Sequence, residues 1–494
     1  MAISLGFVGF LPIAVTPLVG DDTVVLAHGI AQLQDISQVP AYFLDSILVS
    51  VSSAHVLPFG GVFTSLYVSV TYLLTVFGLP PSLSWGLIRI ATVMFAVWSL
   101  TYAVIRILRS QGLLVGQSQR RWAHLSLFSL GLGIVIATTQ IHALWSQDPM
   151  LAYAIAAWLT PALLGLTIAL SATYIGDARS RPGLFVGVVA LGIVGVFTYE
   201  PFVVGWVAAL IPLLLLRAPA VSVRVRRLRK LWLGIAQSII LLLWAGAQLW
   251  RLAQPQTYDG TSVGFAQMVI PVWINGLLSS VPLSNAVLTQ ELVGDTPINW
   301  PAVLISTSAA VALAAGGLYA RGRFPTLGAK AIAPFIAFLI LYAVGVIGLY
   351  SLSSKYQMEL GNRVGSVYLF YAVSLVAIAL VISMCMAFLG LRNRVVTFGF
   401  VSLLLVVAVL QWSLNSKSLT ELNSEWAWTS GVVNSLVESP PEDERCDLVR
   451  NFGVPWMSDD FRSALFEAVE SVYRESPEGT FCGEVDALVE GKLK

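Results

Sequence analysis

The sequence predicts an all-α polytopic membrane protein, and three observations carry that expectation: the composition, the spacing of the apolar runs and the placement of the basic residues. Of 494 residues, 57% are hydrophobic and 11% are charged, with a mean hydropathy of +0.80; a soluble domain is nearer ~25% charged. A bilayer is the solvent that suits this balance. The formal net charge is +1 and the basic residues fall in short scattered clusters, so the chain lacks the concentrated cationic face of a nucleic-acid binder.

Apolar runs close to the ~20 residues needed to cross a bilayer lie at 2–20, 85–108, 123–141, 150–175, 183–199, 201–217, 231–250, 300–320, 331–353, 365–390 and 395–413, giving about eleven transmembrane helices. The first run has no basic residue ahead of it and no small-residue cleavage site, and reads as a retained span. Two further apolar stretches, 57–79 and 264–288, are interrupted by Pro, Gly, Asn or Ser and read as helices lying in the interface or dipping into the membrane.

With the N-terminus inside, inner loops hold seventeen Lys and Arg residues and outer loops between spans hold only Arg251, Lys355 and Arg363. Cytoplasmic loops collect positive charge, so this bias supports the layout. Promoting either interrupted stretch alone to a span would invert every later loop. The expected organisation is a transmembrane region over 1–413, with outer loops 21–84 and 251–299, and a small α-rich extracytoplasmic domain over 414–494. Trp426, Trp428, Trp456, Phe461, Phe466 and Tyr473 offer that domain a modest core, and Ser458 reads as the cap of a helix. Cys446 and Cys482 lie in the tail while Cys385 lies in an apolar run. The tail pair has no metal-ligand spacing but suits a disulfide in an oxidising compartment.

Ionisable groups at the membrane mouth are the informative residues of such a chain. The first outer loop carries Asp21, Asp22, Asp35, Asp45, His28 and His55 and no Lys or Arg. Adjacent carboxylates resist simultaneous ionisation, which suits a general base or a divalent-cation site as well as an ordinary solvated loop. Of the two, Asp21 is nearer the span. His142 and Asp148 close the third span, and Glu200 is wedged between two apolar runs with almost no loop to solvate it. Arg89, about one turn into its span, is the natural partner for Glu200 by depth. Lys355 and Arg363 could clamp a phosphate head group or simply be solvated.

The order of features in the first 110 or so residues resembles the GT-C superfamily of integral membrane glycosyltransferases. The resemblance rests on one span, then Gly20-Asp21-Asp22-Thr23, then His55-Val56-Leu57-Pro58-Phe59-Gly60-Gly61, then Phe77-Gly78-Leu79-Pro80 and Leu87-Ile88-Arg89-Ile90. It implies transfer of a sugar from a polyprenyl-phosphate donor to a glycan, lipid or protein acceptor at the outer face of the plasma membrane. The family's first-loop acid falls on Asp21 or Asp22, as catalytic base or as contact for a divalent cation (Mg or Mn), and its second-loop acid on Asp148. Arg363, Lys355 or Arg89 would offset charge on the departing lipid phosphate. An Asp-Xaa-Asp in the second loop and a Trp-Trp-Asp motif in the tail are both missing, which argues against an oligosaccharyltransferase. The rival classes are a transporter or flippase and a polymerase or ligase of lipid-linked glycans. For the transporter, the chain shows no internal repeat and no matched pair of broken spans.

Overall fold

In a bilayer a helix satisfies every backbone N–H and C=O within its own segment, and the described residues of this chain form helices and no β-strand. The computed structural model describes residues 1–33, 36–52, 58–142, 148–152, 154–178, 182–252, 268–360, 364–365, 370–389, 393–438, 440–450, 459–474 and 480–482. In chain order the α-helices are α1 (Ala2–Ala14), α2 (Asp21–Gln32), α3 (Val39–Ser52), α4 (Pro58–Val76), α5 (Pro81–Ser110), α6 (Gln117–Thr138), α7 (Ala154–Gly176), α8 (Pro182–Val196), α9 (Pro201–Leu214) and α10 (Val223–Leu252). They continue with α11 (Val269–Ser279), α12 (Ala286–Val293), α13 (Trp300–Ala320), α14 (Ala329–Ser351), α15 (Ser354–Leu360), α16 (Phe370–Phe388), α17 (Arg394–Glu438), α18 (Glu442–Arg450) and α19 (Asp459–Arg474).

Among the described residues nine helices are long and apolar enough to cross a membrane: α4, α5, α6, α7, α10, α13, α14, α16 and α17. The chain is a polytopic membrane protein, but the list differs from the eleven expected runs. The first run yields α1, a helix of 13 residues and so about 20 Å long, short of the ~30 Å hydrocarbon layer. Pro17 explains the early stop, because a proline disfavours helical geometry in the residue before it. The runs at 183–199 and 201–217 give α8 and α9, of 15 and 14 residues. Conversely the stretch at 57–79, read as interfacial, contains the 19-residue α4, which meets the length and composition of a span. Its interrupting Gly60 and Gly61 fall in the first turn, where they do not break it. The 264–288 stretch is split between α11 and the start of α12.

Turn chemistry sets the helix ends. Gly78 and Gly112 follow α4 and α5 with φ of +86° and +77°, a region that costs an L side chain strain. At each, the next residue's N–H reaches back to close the helix, Leu79 to the Leu74 carbonyl at 3.2 Å and Leu113 to the Leu108 carbonyl at 3.0 Å, which is the Schellman stop.

Small residues let the central helices approach closely. Gly165 of α7 lies against the backbone of Ser99 of α5, and Gly176 against Ser110. Leu151, just before α7, meets Arg89, so α5 and α7 run parallel with their ends in register. Gly133 of α6 lies against the Ala310 carbonyl of α13, and Gly317 packs back onto Ser126 and Leu130, which makes that pair antiparallel.

The two ends of the bundle differ in charge. At one end, Arg229 donates to the carbonyls of Tyr174 and Asp177 at 3.0 and 2.7 Å. Lys230 donates to those of Leu214 and Leu216. Arg323 lies over the Trp122 ring, 4.6 Å from its centroid. These cations sit where helices end and carbonyls lack partners, the favourable place for positive charge. The opposite end carries Asp22, Asp148, Glu200 and the tail.

The helix α17 runs 45 residues without interruption through position 413, where the transmembrane region was expected to end. Beyond the bundle, Thr429 Oγ1 donates to the Leu18 carbonyl at 2.6 Å, the Leu18 N–H donates to Ser430 Oγ at 3.0 Å, and the Ser82 N–H donates to Asn434 Oδ1 at 3.1 Å. The helix therefore clamps both the exit from α1 and the entry to α5. In the tail, α19 packs on α2, and Tyr473 donates to the Ser435 carbonyl at 2.9 Å. Cys446 and Cys482 form a disulfide with Cα atoms 5.2 Å apart. Arg445, only 1% exposed, donates to the carbonyls of Phe481 and Pro440 at 2.8 and 2.7 Å and lies over the Tyr473 ring.

The disulfide closes a loop spanning 36 positions, for which chain entropy gives about 4 kcal/mol. The double variant Cys446→Ser, Cys482→Ser should therefore lose protection of the tail to limited proteolysis while the bundle stays intact. Equal tail cleavage in variant and wild type would show that Arg445 and the α19 contacts suffice.

Candidate functional site

The first outer loop begins with α2, whose first turn carries Asp21 and Asp22 beside the end of α1. Gly20 precedes it at φ +55°, turning the chain sharply enough to lay α2 across the mouth of the bundle. Asp22 is 7% exposed, and its Oδ2 accepts the Trp85 indole N–H at 2.8 Å. Tyr67 of α4 packs edge-on against Trp85, with centroids 6.5 Å apart, and shares a hydrogen bond of 2.8 Å with Thr92. Thus α5 presents Trp85 to the Asp22 carboxylate, and α4 backs Trp85 with Tyr67. The Asp21 side chain is not among those described.

One turn further along α5, Arg89 is 2% exposed and its Nη1 donates to the Leu151 carbonyl. Its charge acts on both Asp22 and Asp148. Two of its donors, Nε and Nη2, have no acceptor among the described residues, and neither do the nearby hydroxyls Thr23 Oγ1 and Ser84 Oγ. A buried guanidinium left with idle donors is costly, on the order of a few kcal/mol. Nε and Nη2 thus retain capacity for an acceptor beyond the described residues.

Asp148 is fully buried. Its Oδ2 accepts the His142 backbone N–H and its Oδ1 accepts that of Met150 at 2.7 Å, while its own carbonyl accepts from Ala152 at 2.7 Å. Trp158 Nε1 fixes the Pro149 carbonyl at 2.9 Å. Asp148 thus holds the turn that delivers the Leu151 carbonyl to Arg89. Burial pushes its carboxyl up to about 7, against the backbone hydrogen bonds and the Arg89 charge, which pull the other way.

A buried amide network sets the level of this turn. As the chain leaves α6, Tyr371 OH donates to the Thr138 carbonyl at 2.9 Å and accepts the Gln140 N–H at 2.8 Å. Asn415 accepts the Ile141 N–H at 2.9 Å and donates to the Thr139 carbonyl at 2.8 Å. Gln411 Nε2 donates to Asn415 and to Asn285 at 3.1 and 3.2 Å. Sequence reading missed Gln140, Asn285, Gln411 and Asn415. The available signal was Gln411 and Asn415, one helical turn apart at the end of the last apolar run.

The remaining candidates are dispersed. Glu200 pairs with Arg251 at 3.5 Å and not with Arg89, because Arg89 is turned toward the Asp22 and Asp148 side of the bundle. His28 is half-buried on α2, two turns beyond Asp21. His142 is fully buried and contributes its backbone N–H to Asp148. Lys355 lies in the first turn of the short α15 and its side chain is not described; His55 and Arg363 lie outside the described residues. The described His, Cys, Asp and Glu side chains form no group of three that could hold a metal. Arg89 puts positive charge between Asp22 and Asp148, where a divalent cation would otherwise be expected, so the described residues do not fit a metal at that point.

No family model, curated protein or solved structure matches this chain.

The raised Asp148 carboxyl gives a pH dependence. Its proton favours the folded state, and that stability is fully present below about pH 4 and lost as pH rises to about 7. Thermal unfolding of the wild type in detergent should fall across this window by up to about 1.4 kcal/mol per pH unit. Asp148→Asn should lack this slope. The same slope in both proteins would assign it to another group.

Proposed function

We propose that this chain is a membrane glycosyltransferase of the GT-C type, moving a sugar from a polyprenyl-phosphate donor to the hydroxyl of a glycan, lipid or protein acceptor at the acidic end of the bundle. The observation that carries this reading is Arg89, a buried guanidinium between two carboxylates with donors that no described residue uses. A phosphate oxygen of the donor is an acceptor of the required kind.

In this reading the acceptor oxygen attacks the anomeric carbon of the donor sugar while its proton passes to the first-loop carboxylate, Asp22 or Asp21. The bond from the anomeric carbon to the phosphate oxygen breaks, its electron pair stays on that oxygen, and Arg89 offsets the charge that develops there. Asp148 acts through position, by holding the turn that supports Arg89. The concentration of ionisable groups at the bundle ends favours this class over a transporter, whose relays belong near the midplane.

For the membrane, we propose the plasma membrane with the N-terminus cytoplasmic and the acidic end and tail outside. In a Cys385→Ala background, an impermeant thiol reagent added to intact cells should label Ser424→Cys but not Ser222→Cys, both exposed positions. The reverse pattern would turn the molecule over and put the reaction on the cytoplasmic side.

The chemistry is tested by Asp22→Asn and Asp21→Asn in membranes supplied with labelled polyprenyl-phosphate sugars. The variant that removes the base should insert and bind donor normally yet lose about 10² to 10⁴ in transfer rate. Arg89→Gln should weaken donor binding itself. Near-normal transfer in both aspartate variants would remove catalysis from this site.

A further inference from the structure

The opposite, basic end of the bundle carries a cleft that plays no part in the proposed transfer. Most cations there are already committed: Arg229 and Lys230 to the carbonyls that end α7 and α9, Arg226 to those of Arg217 and Ala218, and Arg321 to Thr397 and the Met386 carbonyl. Arg106 and Arg109, on the last turns of α5, differ. They line a cavity of about 210 Å³ together with Ser110, Thr173, Asp177 and Pro219.

Arg106 is half-buried and lies 5.7 Å from the centroid of the Tyr102 ring. Its Nε and Nη2 both donate to one hydroxyl, Thr173 Oγ1, at 2.9 and 2.6 Å. A guanidinium has five N–H donors, so this anchoring fixes the group in place and leaves capacity for another acceptor. Arg109 is exposed and makes no hydrogen bond or ion pair within the described residues. Among the described residues Asp177 is the one acid on the cleft wall, and the charge of Arg120 reaches both Arg106 and Arg109, so the cleft is basic.

Depth identifies the source of a complementary anion. The helix α5 has 30 residues, about 45 Å against a ~30 Å hydrocarbon layer, which puts Arg106 and Arg109 at the level of lipid head groups. Beside the cleft, where Arg229 of α10 reaches Tyr174 and Asp177, the same helix exposes Leu228, Leu231 and Trp232, an apolar surface for acyl chains. We propose that this cleft binds the phosphodiester head group of an anionic membrane lipid, with Arg106 and Arg109 as its charge contacts. A phosphodiester supplies the anionic oxygens that a basic cleft lacks, and basic recesses between helix ends at head-group level are a usual setting for such lipids. The proposal does not depend on the transfer reading.

The test uses the full chain in nanodiscs of phosphatidylcholine containing a minor fraction of phosphatidylglycerol, with retained lipid read by native mass spectrometry after release. Wild type should retain phosphatidylglycerol in preference to phosphatidylcholine. Arg109→Gln, which breaks no bond within the described residues, should lower that retention about fivefold, the equivalent of ~1 kcal/mol per basic residue at a membrane surface. Arg106→Gln should abolish it. A control, Arg224→Gln on exposed α10, should change little. Retention without preference for phosphatidylglycerol, retention equal in wild type and Arg109→Gln, or a loss just as large in the control would each overturn the proposal; if Arg106→Gln fails to fold, the Arg109 comparison still decides.

Discussion

The candidate site depends on how the backbone between α6 and α7 is satisfied. Once α6 ends at Thr138, the Thr139 carbonyl and the peptide groups of Gln140 and Ile141 have left the helix yet remain buried. A buried unpaired backbone group costs on the order of several kcal/mol in an apolar medium. Tyr371, Asn415 and Asn285 supply the missing partners from three other segments. The network fixes the chain up to Ile141, and the next N–H, that of His142, bonds the Asp148 carboxylate. Arg89 takes the Leu151 carbonyl from the Asp148 turn.

A second constraint is electrostatic and divides the molecule lengthwise. The cations of the basic end mostly do structural work, closing helices whose last carbonyls lack partners. The acidic end does the reverse: it gathers carboxylates around a cation of which two donor nitrogens have no acceptor among the described residues. The first pattern lowers the cost of ending a helix at the membrane surface, and the second leaves interaction capacity for a visitor. Function is therefore expected where the chain is least self-sufficient.

Much of this was legible in the sequence, for identifiable reasons. Composition and run length gave the membrane class, and the basic bias grouped the right helix ends together, since each loop is tied to its neighbours by span length. Asp22 and Arg89 stood out because both are ionisable at the mouth of an apolar run. What could not be read was pairing. Nothing in the spacing of Arg89 shows that it turns toward Asp22 and Asp148 and leaves Glu200 to Arg251, because that depends on which faces of α5 and α9 are packed. Helix length departed from run length where a proline cut a run short, as Pro17 does to α1, or where glycines that looked disruptive fell in a first turn, as in α4. The end of α17 was missed because hydropathy falls near Ser413 while helix propensity does not.

That last feature has a mechanical side. From Trp412, which bonds the Ile136 carbonyl inside the bundle, to Asn434, which holds the entry to α5, α17 is a rod of roughly 33 Å. A rotation of about 5° around its buried pivot carries the far tip by about 3 Å, the length of the hydrogen bond it makes there. The tilt of a membrane helix answers to bilayer thickness. One helix thus joins the lipid-embedded core to the segment that presents Trp85 to Asp22, and the angle of that helix and the angle at which the chain enters α5 are geometrically the same quantity.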